Sequence, residues 1–164
     1  MNNKYPYLFV LFILSIFSLD SYAEIQKGKW EFVKDDEYCF IQSAPIKTEI
    51  PKGKSRGDHY ILVYRMHKNP DLIIQITAGY NYKSVDSVDV KIDDGNYDFY
   101  SDEDTAWAKD DKKDVYAMIK GLELITEGIS SKGTKVTDTY TLKGFTSAIN
   151  KLSEDCWDAK KNCS

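Results

Sequence analysis

The sequence predicts a mainly β fold, an antiparallel β-sandwich with a short helix and a C-terminal amphipathic helix. Three observations point there. Short runs of aromatic and β-branched residues recur between residues 30 and 142, each bounded by Gly, Pro, Asn or Asp. Val88, Val90 and Ile92 alternate strictly with Asp89 and Lys91, the period of a strand with one buried face. A strong helical period appears only near the end, where Phe145, Ala148, Ile149, Leu152 and Cys156 share one face. Many short strands with one terminal helix fit a sandwich better than alternating α and β units.

The chain opens with the polar, basic Asn2-Asn3-Lys4, and residues 7–17 (YLFVLFILSIF) are apolar except for Ser15. A helix needs roughly 20 apolar residues to span a bilayer, so this run is too short to be a spanning segment. It fits a secretory signal, and Ser21-Tyr22-Ala23 places small residues at −3 and −1 of a cut before Glu24. The expected organisation is therefore a signal peptide over residues 1–23 and one domain over residues 24–164. Strands follow over residues 30–33 and 38–42, and residues 44–58, with two prolines and two glycines, read as a loop. The apolar runs 60–65 (YILVYR) and 72–78 (LIIQITA) flank the turn Asn69-Pro70-Asp71 and form an antiparallel pair. The strand around Val88 turns at Asp94-Gly95, and residues 97–100 return. Val115, Met118, Ile119 and Leu122 have helical spacing, which predicts a helix of at most two turns capped by Asp111 or Asp114 and stopped at Gly121. Residues 122–129 and 135–142 are strands on either side of the turn Ser130-Ser131-Lys132-Gly133.

Composition excludes several classes. With 42% hydrophobic and 29% charged residues the chain is neither disordered nor a polytopic membrane protein. Its 22 cations and 26 acids leave a net charge of −4, which disfavours nucleic acid, whose binders neutralise phosphates. In an exported protein the three cysteines meet an oxidising compartment. Their spacing matches no metal motif. A Cys39–Cys156 bridge would close a loop of more than one hundred residues, worth about 4–5 kcal/mol by loop entropy. Cys156–Cys163 would close only a small one. Cys39 sits in an early strand and Cys156 on the apolar helical stripe, so the expected pair is Cys39 and Cys156, with Cys163 spare.

Four features have the outline of chemistry. Eleven acids crowd residues 86–114 against four lysines. Hard cations take six to eight oxygen ligands, yet Asp93-Asp94-Gly95 lacks the ligand spacing of a calcium loop, so a solvated acidic face is expected. Gly128-Ile129-Ser130-Ser131-Lys132 approaches the nucleophile elbow but has Lys132 where the second glycine belongs. A triad of Ser130, His59 and an aspartate has no support from spacing, and His59 and His67 stand at opposite ends of one strand. Arg56-Gly57-Asp58 spells an adhesive tripeptide in a loop, where Lys47, Lys52, Lys54 and Arg56 form a basic lip suited to an acidic partner.

The order of short motifs is itself informative. Trp30, Cys39-Phe40-Ile41-Gln42-Ser43, Arg56-Gly57-Asp58, Gly79-Tyr80 and Ala106-Trp107-Ala108 precede Ser131-Lys132-Gly133-Thr134 and Asp138-Thr139-Tyr140-Thr141-Leu142-Lys143-Gly144-Phe145, then Ala148 and Cys156. This succession resembles the invasion-associated locus B family of exported proteins of Gram-negative bacteria. The resemblance implies an immunoglobulin-like sandwich and an envelope location, with no defining catalytic residue or cofactor. Many members carry a further cysteine soon after the tryptophan, where this chain has Lys34-Asp35-Asp36. Trp30 and Trp107 read as core anchors, and Phe145 as a core plug at the helix start.

The expectation is a non-enzymatic periplasmic or envelope protein, outer-membrane-associated or secreted, that contacts another macromolecule. No catalytic residue, cofactor or metal is assigned, and no nucleic acid or membrane span after signal cleavage is expected. The alternatives are a periplasmic small-ligand or cation-binding protein and a hydrolase.

Overall fold

A computed structural model describes residues 25–67 and 69–156. The expected signal peptide and Cys163 lie outside the described residues. Eleven strands form two antiparallel sheets that share one core. The six-stranded sheet contains β1 (Glu31–Lys34), β2 (Tyr38–Ser43), β4 (Tyr60–Met66), β5 (Ile73–Thr77), β9 (Thr105–Ala108) and β8 (Phe99–Asp102), in that spatial order. The five-stranded sheet contains β3 (Lys47–Glu49), β11 (Lys135–Thr141), β10 (Glu123–Ile129), β6 (Val88–Ile92) and β7 (Gly95–Tyr97). Two helices, α1 (Asp111–Lys120) and α2 (Phe145–Asp155), complete the element order. The predicted mainly β, two-sheet antiparallel architecture is the one observed.

Side-chain alternation explains the two layers. Cys39, Ile41 and Ser43 of β2, Ile61 and Val63 of β4, and Ile74 and Ile76 of β5 point inward from one sheet. Val88, Val90, Ile92, Leu124, Val136 and Tyr140 are among the buried residues of the other. One residue of slip would turn each of these rows to solvent, so burial fixes the register.

Several elements differ from expectation. The loop over 44–58 contains β3, a three-residue exposed edge strand held by β11; its polar sequence carries no strand signal. Residues 97–100 do not form one strand. The chain crosses from one sheet to the other at Asp98, ending β7 at Tyr97 and starting β8 at Phe99. Strand β9 was not anticipated, and it places Ala106 and Ala108 inward, so Trp107 faces outward, half-buried, and is not a core anchor. Helix α1 has ten residues, close to three turns. Asp110 caps it, accepting from the Lys113 N–H at 3.1 Å, rather than Asp111 or Asp114. Its buried stripe is Asp114, Val115 and Met118, whereas Ile119 and Leu122 are exposed.

Helix α2 keeps the predicted stripe: Phe145, Ala148, Ile149 and Leu152 are buried against β1, β2 and α1. Trp30 meets Phe145 edge-to-face at 4.8 Å between ring centroids and donates its indole N–H to the Thr141 carbonyl at 2.9 Å. Trp30 is thus the anchor expected of it. Cys156 ends the stripe and is joined to Cys39, with Cα atoms 5.8 Å apart.

Candidate functional site

Where β5 leaves its sheet, backbone crowding brings three distant segments together. Gly79 has φ +72°, and a Cβ there would stand 2.5 Å from the Gly57 carbonyl oxygen. The two glycines lie close enough for the Gly57 N–H to donate to the Gly79 carbonyl at 2.9 Å. This contact turns Arg56 inward. Its Nη1 donates to Asp138 Oδ2 at 2.7 Å and to the Ala78 carbonyl at 3.1 Å. Its Nη2 donates to Asp138 Oδ1 at 2.5 Å and to Thr48 Oγ1 at 3.0 Å, and the Thr48 hydroxyl in turn donates to Asp138 at 2.6 Å. The side chains of Arg56 and Asp138 are only 4% and 6% exposed. The pair is a bidentate buried bridge tying the β3–β4 loop to β11.

Aromatic rings pack beside the bridge. Tyr80 and Tyr82 meet edge-to-face at 5.3 Å, over Gly128 of β10, where any side chain would collide with both rings. Burial pushes the Tyr80 phenol up to about 12 and raises Tyr82 further. Tyr140 is fully buried; its hydroxyl has no hydrogen-bond partner among the described residues, and burial lifts its ionisation well above the usual range. Beside Tyr80 opens a groove of about 510 Å³. Its walls are the β3–β4 loop, including Lys54 and Ser55, and the β10–β11 turn, including Ser131, Lys132 and Thr134, with Tyr80 and Asn81 between.

The β10–β11 turn is tightly specified. Ser130 Oγ accepts from the Thr134 N–H at 3.1 Å, and Gly133, at φ +76°, donates its N–H to the Ser130 carbonyl. The Ser131 N–H donates to the Asn81 carbonyl at 2.7 Å. Ser130 is therefore a turn residue. His59 Nδ1 faces the Gly57 carbonyl at 3.0 Å, so the Ser130–His59 pair of the triad outline is not assembled among the described residues. The tripeptide Arg56-Gly57-Asp58 is likewise a packing motif, because its arginine is consumed inside the fold. The basic lip loses two members: Arg56 is buried on Asp138, and Lys47 lies in β3 and pairs with Glu49 at 2.5 Å. Lys52 and Lys54 remain exposed.

A second cluster was missed in the sequence. His67 follows β4 and stands 3.7 Å from Cys156 Sγ through Nδ1, while its Nε2–H donates to the Asp35 carbonyl at 2.8 Å. The register supplies the reason: Cys39 pairs with Arg65, so residue 67 continues the same face two positions on. Cys39, Cys156 and His67 place their ligand atoms within 4.8 Å of one another, but sulfurs bonded as a disulfide offer no thiolate to a metal.

The acidic stretch divides into structural and solvated members. Asp93 accepts from the Leu122 and Glu123 N–H groups, Asp111 from the Ile74 N–H at 2.7 Å, and Asp110 caps α1. Asp114 is 1% exposed with Oδ2 unpartnered among the described residues, and desolvation raises its carboxyl to about 6. Asp86, Asp89, Asp94, Asp98, Asp102 and Glu103 face solvent.

Fold and site together define a disulfide-stapled antiparallel β-sandwich with a cation-walled surface groove over a buried ion pair. The model of the Invasion associated locus B (IalB) protein family matches residues 32–153, and the chain belongs to that family. No curated protein and no solved structure matches it. No helix among the described residues is long and apolar enough to cross a membrane.

Proposed function

We propose that this chain is an exported protein of the periplasm or envelope that works as a non-enzymatic protein-interaction module. The observation that carries this reading is convergence. Arg56, Gly79-Tyr80, Ser131-Lys132 and Thr134, from segments far apart in the chain, all line one groove, and Asp138 holds Arg56 at its base. They build its walls and the bridge beneath it, so the shared motifs of the chain serve a surface as well as a core. The Cys39–Cys156 bridge supports an oxidising destination, where such bonds persist. The groove also falls in the size range of small-ligand sites, which favours a small-ligand carrier as the second reading.

Two measurements test the proposal. Intact mass of the protein recovered from the periplasm or medium should begin at Glu24; recovery only in the cytoplasm overturns export. Cross-linking in whole envelopes, with a photoreactive group at Ser131, should yield a defined adduct with another protein. A chain that remains uncoupled to protein but gains several degrees in melting temperature with a small solute would favour the carrier instead.

A further inference from the structure

We propose that the groove between the β3–β4 loop and the β10–β11 turn binds an acidic peptide segment of a partner protein. This deepens the interaction reading and rests on it. Charge is the first argument. The whole protein is acidic, with 26 acids against 22 cations, yet the described residues that line this groove include no Asp or Glu. The cations there are Lys54, Arg56 and Lys132. Asp138 neutralises Arg56 from behind, whereas Lys54 and Lys132 have no carboxylate partner among the described residues. Two uncompensated positive charges from two different segments therefore face one recess, which concentrates an anion there.

The kind of anion follows from the donors. A single phosphate is best held by a guanidinium fork or a nest of converging N–H groups. The guanidinium of Arg56 is committed through both Nη atoms to Asp138, Thr48 and the Ala78 carbonyl. What remains are two ammonium point charges with the polar side chains of Ser131, Thr134 and Asn81 among the lining. That arrangement suits carboxylates spaced along a polar chain. The neighbouring strand favours a peptide: β3 is the last strand of its sheet, paired among the described residues only with β11, and Ile50, next after it, lines the groove. An extended segment continuing past Ile50 would reach β3, whose outer edge pairs with no strand among the described residues and so offers backbone donors and acceptors for strand addition.

The test is fluorescence anisotropy of a labelled deca-glutamate peptide with the oxidised protein, beside a deca-glutamine peptide and inorganic phosphate as competitor. Deca-glutamate should bind, lose affinity at least tenfold as salt rises from low to physiological strength, and lose it again at least tenfold in Lys54→Gln/Lys132→Gln. Deca-glutamine should not bind. The double variant should melt at the wild-type temperature, since both lysines are surface residues with no salt bridge among the described residues. No binding of deca-glutamate, equal binding of deca-glutamine, unchanged affinity in the double variant, or full displacement by millimolar phosphate would each overturn the acidic-peptide assignment. An envelope cross-link at Ser131 that persists in the double variant while deca-glutamate fails would leave the interaction reading standing without this ligand.

Discussion

Arg56 and Asp138 hold opposite charges out of water, and two further donors and acceptors complete their shell. Such a pair contributes little net stability over apolar residues of the same shape, but breaking it strands a charge. Arg56→Met should therefore lower unfolding stability by about 3–5 kcal/mol in urea titrations, because Asp138 is left buried and unpaired. Arg56→Met/Asp138→Leu should recover much of that loss; a double variant as unstable as the single one would refute the desolvation argument. Asp114 is the reverse case, a buried carboxyl with no ion-pair partner among the described residues. Desolvation is the largest cause of its rise from 3.8 to about 6, and Asp110, Asp111 and Asp98 add to it against Lys113. Between those values the folded chain binds more protons than the unfolded one, so stability falls as pH rises through the window. Asp114→Asn should raise the melting temperature above pH 6, and the gain should vanish on acidification toward pH 4. A gain independent of pH would mean that packing, not ionisation, governs this site.

Helix α2 illustrates what an element gains from its ends. Its start is Gly144, in the left-handed region at φ +89°, with no side-chain cap, so no Ser, Thr or Asp oxygen accepts from a first-turn N–H. Its other end is fixed by the Cys39–Cys156 bridge, which closes a sequence separation of 117 residues. The staple ties the last helix to the second strand, near the two ends of the described chain. Cys156→Ser should lower stability by roughly 2–5 kcal/mol under oxidising conditions, measured by denaturant unfolding. Non-reducing peptide mapping should recover the 39–156 cross-link; a 156–163 bridge with Cys39 reduced would contradict the pairing. The β8–β9 hairpin shows the opposite economy. Asp102 and Glu103 at its tip are exposed, so Asp102→Asn/Glu103→Gln should shift stability by less than about 0.5 kcal/mol. A loss of several kcal/mol would reveal a bound ion or hidden network.

For the whole molecule, the two-layer design makes local signals unequal in value. Strands that bury side chains, β2, β4, β5, β6, β10 and β11, were legible in the chain, β6 from its period of two and the others from apolar, aromatic and β-branched runs between turn signals. The same logic exposed the stripe of α2 and, through it, the Cys39–Cys156 pair. Strand β3 was invisible, since an exposed edge of Lys, Thr and Glu needs only a partner's backbone. The crossing at Asp98 was also hidden, because one residue between two strands reads locally as a continuous strand. The site divides in the same way. Its motifs could be read as a linear succession that resembles one family, and the lysines of the lip could be read as charges. Composition and periodicity alone thus determined the mainly β class, the terminal helix and the disulfide partners, because each depends on which side chains avoid water along a short stretch. Only the tertiary structure decided that Arg56 turns inward to Asp138, that His67 meets the disulfide, and that Lys54 and Lys132 share one recess. Those relations join residues up to ninety positions apart, and their geometry is set by sheet register and by the close approach of Gly57 and Gly79, neither of which leaves a period in the sequence.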